Sequence, residues 1–334
     1  MQISNDLSRP NLDRYFGEFG GILVPDAFTP EILNFAKEAE IIIPGKQFKE
    51  CFETIVNDID DPEVRIINDG NIKFYIVNSQ AFYWMTAGHI ALACARGSKY
   101  NHIGIENADI ARFVARQFKK FGMTCTITLS AELSANKNLI YELEKIGASV
   151  DSTTCVKLYN RPQAYAFQKY LGNRTESSFI PVGTNLGPYP FPALSGLFGG
   201  QWGKKIESII GKDNIEMVCA TMLHGNAADA ILRGFSGKKF ATIEKPICQE
   251  YTGEFCGCLL LMVRTAAYNE YSITICPKVA DMWRKAESMR LGAADYREFD
   301  AAAGISATTT RAINLIKSNV PDVKSVLVVE GENE

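Results

Sequence analysis

From about residue 63 the chain alternates short β-branched runs with amphipathic helical stretches. That alternation constrains the fold more than any other feature, because strands joined by helical crossovers pair in parallel and need helices over their faces. "RIINDGNIKFYIV" predicts a hairpin around Asn68, Asp69 and Gly70, and "NHIGI" a buried strand. "ENADIARFVARQFKKFG" puts Ile110, Phe113, Val114, Phe118 and Phe121 on one helical face, opposite Arg112, Arg116, Lys119 and Lys120, and Gly122 closes it. "MTCTITL" is the next strand, followed by a helix that Ser134 is expected to cap and Gly147 to end. Further strands are read in "SVDSTTCVKLY", "SSFIPVG", "IEMVCA", "KFATIEK" and "SVLVVEG". The expectation is an α/β protein of two interleaved lobes, each a mostly parallel sheet flanked by helices. Residues 1–60 and 180–334 are assigned to a larger lobe and 61–179 to a smaller one.

Composition narrows the functional classes. With 46% hydrophobic residues among 334, the chain can build a sizeable core. Thirty-five Lys and Arg against 38 Asp and Glu leave no basic track for nucleic acid, and the apolar runs are too short to span a bilayer. The polar start "MQISNDLSRPN" does not read as a signal peptide, so a cytoplasmic protein is expected. The nine cysteines sit mostly in apolar segments and read as reduced core thiols, and no metal site is expected at Cys256 and Cys258.

Two motifs then carry a resemblance. "RYFGEFGGILVP" sets three glycines and three aromatics around Glu18, and "GTNLGPYPFP" fixes a turn with Pro188, Pro190 and Pro192 before a helix. Together they resemble the β subunit of tryptophan synthase, a member of the fold type II pyridoxal-phosphate enzymes. "AGHIALACARG" resembles the family's helix behind the catalytic lysine, and "FGMTCTITLSA" one of its strands. The resemblance implies a homodimer or a partner subunit, and a small-molecule substrate.

The same comparison brings out departures. Where the family's lysine segment would lie stand Phe82, Tyr83 and Trp84, with no lysine between Lys73 and Lys99. Met222, Leu223 and His224 replace the glycines of the phosphate-binding turn, leaving Gly225 and Asn226, and "GIENADIA" replaces the loop that meets the substrate carboxylate. The serine after the family's final strand has no counterpart in "SVLVVEGENE". These departures lead to the expectation that pyridoxal phosphate is not bound.

The candidate catalytic residues are His224, as a neutral-pH acid or base, and Glu106. Phe82, Tyr83, Trp84, Asn107, Asp109, Thr184, Asn185, Tyr189 and Asn226 are the candidate pocket. Asn107 also reads as a helix cap and His89 as a packed residue, while Phe82 to Trp84 read either as filler or as an aromatic wall. Glu244 and Lys245 read as a surface pair. The expected activity is a biosynthetic one on a small, aromatic or amino-acid-derived substrate. The alternatives are a non-catalytic partner subunit, or a pyridoxal-phosphate lyase using a displaced lysine such as Lys99.

Overall fold

A computed structural model of the chain describes residues 29–78, 80–151, 162–172, 176–182, 191–220, 239–242, 272–273, 313–314, 316–318 and 320–330. The elements, in order, are α1 (Thr29–Ile42), α2 (Lys46–Val56), β1 (Val64–Asp69), β2 (Ile72–Asn78), α3 (Ala81–Arg96), β3 (Tyr100–Ile105), α4 (Ala108–Lys120), β4 (Thr126–Leu129) and α5 (Ala131–Ser134). They continue with α6 (Lys137–Ile146), β5 (Ser149–Asp151), α7 (Pro162–Gly172), β6 (Ser177–Ile180), α8 (Phe191–Ile210), β7 (Met217–Ala220), β8 (Lys239–Thr242), β9 (Ser272–Ile273) and β10 (Ser325–Glu330).

The chain divides into two compact units, and the division differs from the expected one. The hairpin at 61–82 belongs with residues after 196, whereas 29–60 joins 83–195. Strand pairing is the reason: β2 lies parallel to β10, with Phe74 opposite Val326 and Ile76 opposite Val328, so the hairpin is an edge of the sheet that β10 completes. The two helices at 29–56, which the sequence reading left out, are the opening elements of the other unit.

In the first unit six strands run in the order β1-β2-β10-β7-β8-β9, with only β1 and β2 antiparallel. Gly70 has a φ of 62°, the left-handed conformation a two-residue hairpin turn requires. Ile72, Phe74, Ile76, Met217, Cys219, Val326 and Val328 pack one face with Ile316 and Val323. Tyr75, Val77, Val218, Leu327 and Val329 are buried on the other, as a sheet covered on both sides demands.

In the second unit four parallel strands run β5-β4-β3-β6. Ile103, Ile105, Ile127 and Leu129 are fully buried in it. The predicted α4 face is buried at Ile110, Phe113, Val114 and Phe118. Ser134 does not cap the helix after β4: it ends the short α5, which Ser130 caps, and Asn136 caps α6 by accepting from the Leu139 N–H at 3.1 Å. Two Asn or Ser residues within one turn of each other compete for the role, and sequence alone does not rank them. Gly147 ends α6 with a φ of 118°, as expected. The core is strongly aromatic: Phe35, Phe167, Tyr170 and Phe179 all meet the ring of Phe191, with centroids 5.1 to 6.0 Å away.

Candidate functional site

In the four-stranded sheet the chain leaves β3 for β4 on one side, while β6 returns on the other. The carboxyl end of β3 is therefore a topological switch point, where open parallel sheets bind ligands. Glu106, Asn107 and Asp109 follow β3 there. Ser130 ends β4 beside them, its N–H donating to the Ile105 carbonyl at 3.0 Å.

These side chains divide by role. Asn107 accepts from the N–H groups of Asp109 at 2.9 Å and Ile110 at 3.1 Å, which makes it the α4 cap. Asp109 is paired with Arg112 at 2.9 Å and its side chain is 76% exposed, so its charge is partly balanced at the surface. Glu106 is exposed at the same edge. The Ser130 hydroxyl accepts from the Leu133 N–H and is occupied by capping.

One glycine shapes this edge. A Cβ on Gly104 would run into the backbone of Pro162 and Gln163, so the start of α7 lies directly on β3. Gln163 is 2% exposed, and its Oε1 accepts no hydrogen bond. Neither residue was singled out in the sequence, since only the tertiary approach of α7 gives them meaning.

The start of α3 is packed. Phe82 is 6% exposed. The ring of Tyr83 meets Phe113 edge-on at 5.2 Å, and Trp84 meets Phe52 edge-on at 6.2 Å. The Trp84 Nε1 and Thr86 Oγ1 are buried without a hydrogen-bond partner. His89 is 2% exposed and shares a 2.8 Å hydrogen bond with the Ser195 hydroxyl, and burial pushes its pKa down to about 3. It is a neutral core residue at ordinary pH.

Lys99 stands at the opposite edge of the sheet, before β3. Its ammonium donates to Glu176 at 2.6 Å, and that bond raises its pKa, contrary to the lowered value an amine nucleophile needs. A hollow of about 470 Å³ lies at this edge, lined by Glu38, Ile41, Arg96, Ser98, Lys99 and Glu176, and Arg96 in it is bound by Glu38 at 2.7 Å.

His224, Asn226, Thr184, Asn185 and Tyr189 lie outside the described residues, as do Glu244, Lys245 and the "RYFGEFGGILVP" arm. Among the described residues no cluster of three or more metal-ligating side chains occurs, and no helix is long and apolar enough to cross a membrane.

No family model matches the chain. It is 26% identical to tryptophan synthase from Saccharomyces cerevisiae over 245 residues, 68% of this chain and 33% of the relative, so it spans about a third of that relative's length. The crystal structure of a pyridoxal 5'-phosphate-dependent aspartate racemase superposes with a TM-score of 0.50 at 12% identity, covering 86% of this chain and 95% of the other. A fungal L-serine ammonia-lyase from Rhizomucor miehei gives 0.47 at 7% identity, covering 81% and 92%.

These likenesses correct the expectation about the cofactor. A solved structure that shares the fold is of a pyridoxal-phosphate-dependent enzyme, so the fold itself gives no ground for excluding that group. The packed start of α3 does not fit the covalent anchor of that group, because it holds no lysine amine. Absence of a lysine from α3, like the other departures read in the sequence, does not by itself amount to loss of binding. The chain is a distant sequence relative of tryptophan synthase with the α/β fold of the fold type II pyridoxal-phosphate enzymes.

Proposed function

We propose that the chain is a tryptophan synthase β-like enzyme of the lyase or synthase type, acting on a small amino-acid-derived or aromatic substrate at the carboxyl edge of the four-stranded sheet. The observation that carries this reading is the placement of Glu106 at the β3 switch point, on a turn held rigid by the Asn107 cap. A carboxylate there is exposed to a ligand and anchored to β3, the geometry a general acid or base needs. Thr184, Asn185 and Tyr189 are kept as proposed substrate contacts, and His224 as a proposed acid or base, on the sequence alone.

In this reading the roles are separate. Asn107 fixes the loop, Glu106 moves a proton, and Gly104 lets α7 close one side of the edge without a side chain in the way. Pyridoxal phosphate, when bound, supplies an electron sink for charge developing on an amino-acid substrate.

The test is an assay of the purified chain with serine, with and without indole, in the presence of pyridoxal phosphate, following release of ammonia and formation of new amino acid. Turnover lost by a factor of about 10² or more in Glu106→Gln, with folding unchanged, is the expected result for a proton-transfer group. Turnover that Glu106→Gln leaves intact removes Glu106 from the mechanism, and inertness toward every amino acid tried overturns the enzyme reading.

A further inference from the structure

The hollow at the amino end of the four-stranded sheet takes no part in the proposed reaction, and its charges are balanced. Two ion pairs stand in it: Arg96 Nε donates to Glu38 at 2.7 Å, and Lys99 Nζ to Glu176 at 2.6 Å. Opposite charges therefore cancel within one cavity of about 470 Å³, a size suited to a small molecule. Ile41, 79% exposed, and Ile42 supply an apolar rim.

Arg96 is the fixed point of this lining. Its guanidinium lies over the Phe35 ring at 5.2 Å, and its Nη1 donates to the Ser177 carbonyl. The Arg96 side chain is 15% exposed against 66% for Lys99, so one cation is held in place and the other stands largely in solvent. With Nε and Nη1 taken, Nη2 is the guanidinium nitrogen left without a partner among the described residues. Each glutamate accepts from its cation through one oxygen and keeps the second to offer.

A simple anion would meet Glu38 and Glu176 here, and a metal ion would meet Arg96 and Lys99, so the lining discriminates against both. A molecule carrying both charges close together is matched, because each of its charges finds an opposite partner. We propose that this hollow is a second ligand site, which binds a free zwitterionic α-amino acid with a large apolar side chain. The carboxylate goes to Arg96 Nη2 and the Lys99 ammonium, and the α-ammonium to the second oxygens of Glu38 and Glu176. The side chain lies along Ile41 and Ile42. Glu106 follows the far end of β3, and the six residues of that strand put about 20 Å between the two places. An amino acid in the hollow therefore leaves the proposed active edge open to a substrate.

The test is isothermal titration calorimetry of the purified full chain with L-leucine, L-phenylalanine and L-tryptophan. Phenethylamine and 3-phenylpropanoate serve as probes that each lack one of the two charges. One site per chain is expected, with both single-charge probes bound about tenfold or more weakly than L-phenylalanine. Glu38→Gln and Lys99→Gln, both on exposed side chains, should each weaken L-phenylalanine by a similar factor, and Glu106→Gln should leave it unchanged. Glu176→Gln takes the place of either variant should it fail to fold. Affinity lost in Glu106→Gln but kept in the other two would put the amino acid at the active edge, overturning this proposal while sustaining the reading of the reaction. Single-charge probes bound as tightly as L-phenylalanine, or no heat from any of the amino acids at millimolar concentration, would overturn it as well.

Discussion

The imidazole Nε2 of His89, midway along α3, and the hydroxyl of Ser195 in α8 lie 2.8 Å apart in a site that excludes water. Folding therefore holds His89 neutral, with its pKa pushed from 6.5 to about 3 by burial. Below the unfolded value of 6.5 the unfolded chain takes up a proton that the folded one refuses, so this contribution to stability is complete at neutral pH and drains away as the pH falls from 6.5 toward 3. Between pH 7 and pH 4.5 the melting temperature of the parent chain should fall further than that of His89→Gln, whose amide keeps a hydrogen-bonding group toward Ser195 without titrating. Equal falls in the two proteins would show that His89 is protonated in the folded state.

Gly104→Ala places a methyl group against the Pro162 and Gln163 backbone, where nothing flexible can give way. Overpacking of this kind costs about 1–3 kcal/mol, and the expected measurement is a lowered denaturation midpoint with an unchanged slope. A variant as stable as the parent would mean that α7 is free to move off β3.

Asn107→Ala removes the side chain that accepts from two α4 N–H groups, at a cost of about 1 kcal/mol. Asn107→Asp retains the acceptor and adds a charge the helix start favours, so it should recover the loss. Urea titrations of the three proteins decide it, and an Ala variant matching the parent would assign the turn's stability to other contacts.

Tyr83 and Phe113 meet edge to face at 5.2 Å, which makes Tyr83 a packing residue between α3 and α4. A double-mutant cycle with Tyr83→Leu and Phe113→Leu should return a coupling of about 0.5–1.5 kcal/mol. No coupling, together with weakened substrate binding in Tyr83→Leu, would make the ring a pocket wall instead.

The sequence was most informative where a pattern is local. The alternation of strand and helix, the α4 face from Ile110 to Phe118 and the αL glycines at 70 and 147 are all legible, since each depends on neighbours within a turn. What escaped reading depends on distant partners. The unit to which the hairpin belongs is set by β10, and the need for glycine at 104 by α7. Of the candidate site, the turn at Glu106, Asn107 and Asp109 was found because capping residues after a buried strand announce themselves. That Asp109 is spent on Arg112 was not legible, since an ion pair is a property of geometry. The expectation of no cofactor, drawn from changes at the lysine segment, the phosphate turn, the carboxylate loop and the final serine, is overturned by the likeness to a pyridoxal-phosphate-dependent enzyme, because local residue changes do not reveal what a whole fold can hold.

The pairing of β10 between β2 and β7 also orders events on the ribosome. The four-stranded sheet is drawn entirely from residues before 183, and that unit can condense while the rest is still being made. The β1–β2 hairpin, synthesised earlier than any strand of that sheet, must wait with its Lys73–Asn78 edge unpaired until residues 325–330 emerge. That waiting edge is the segment a chaperone would shield during translation, and the one through which nascent copies would aggregate if it did not.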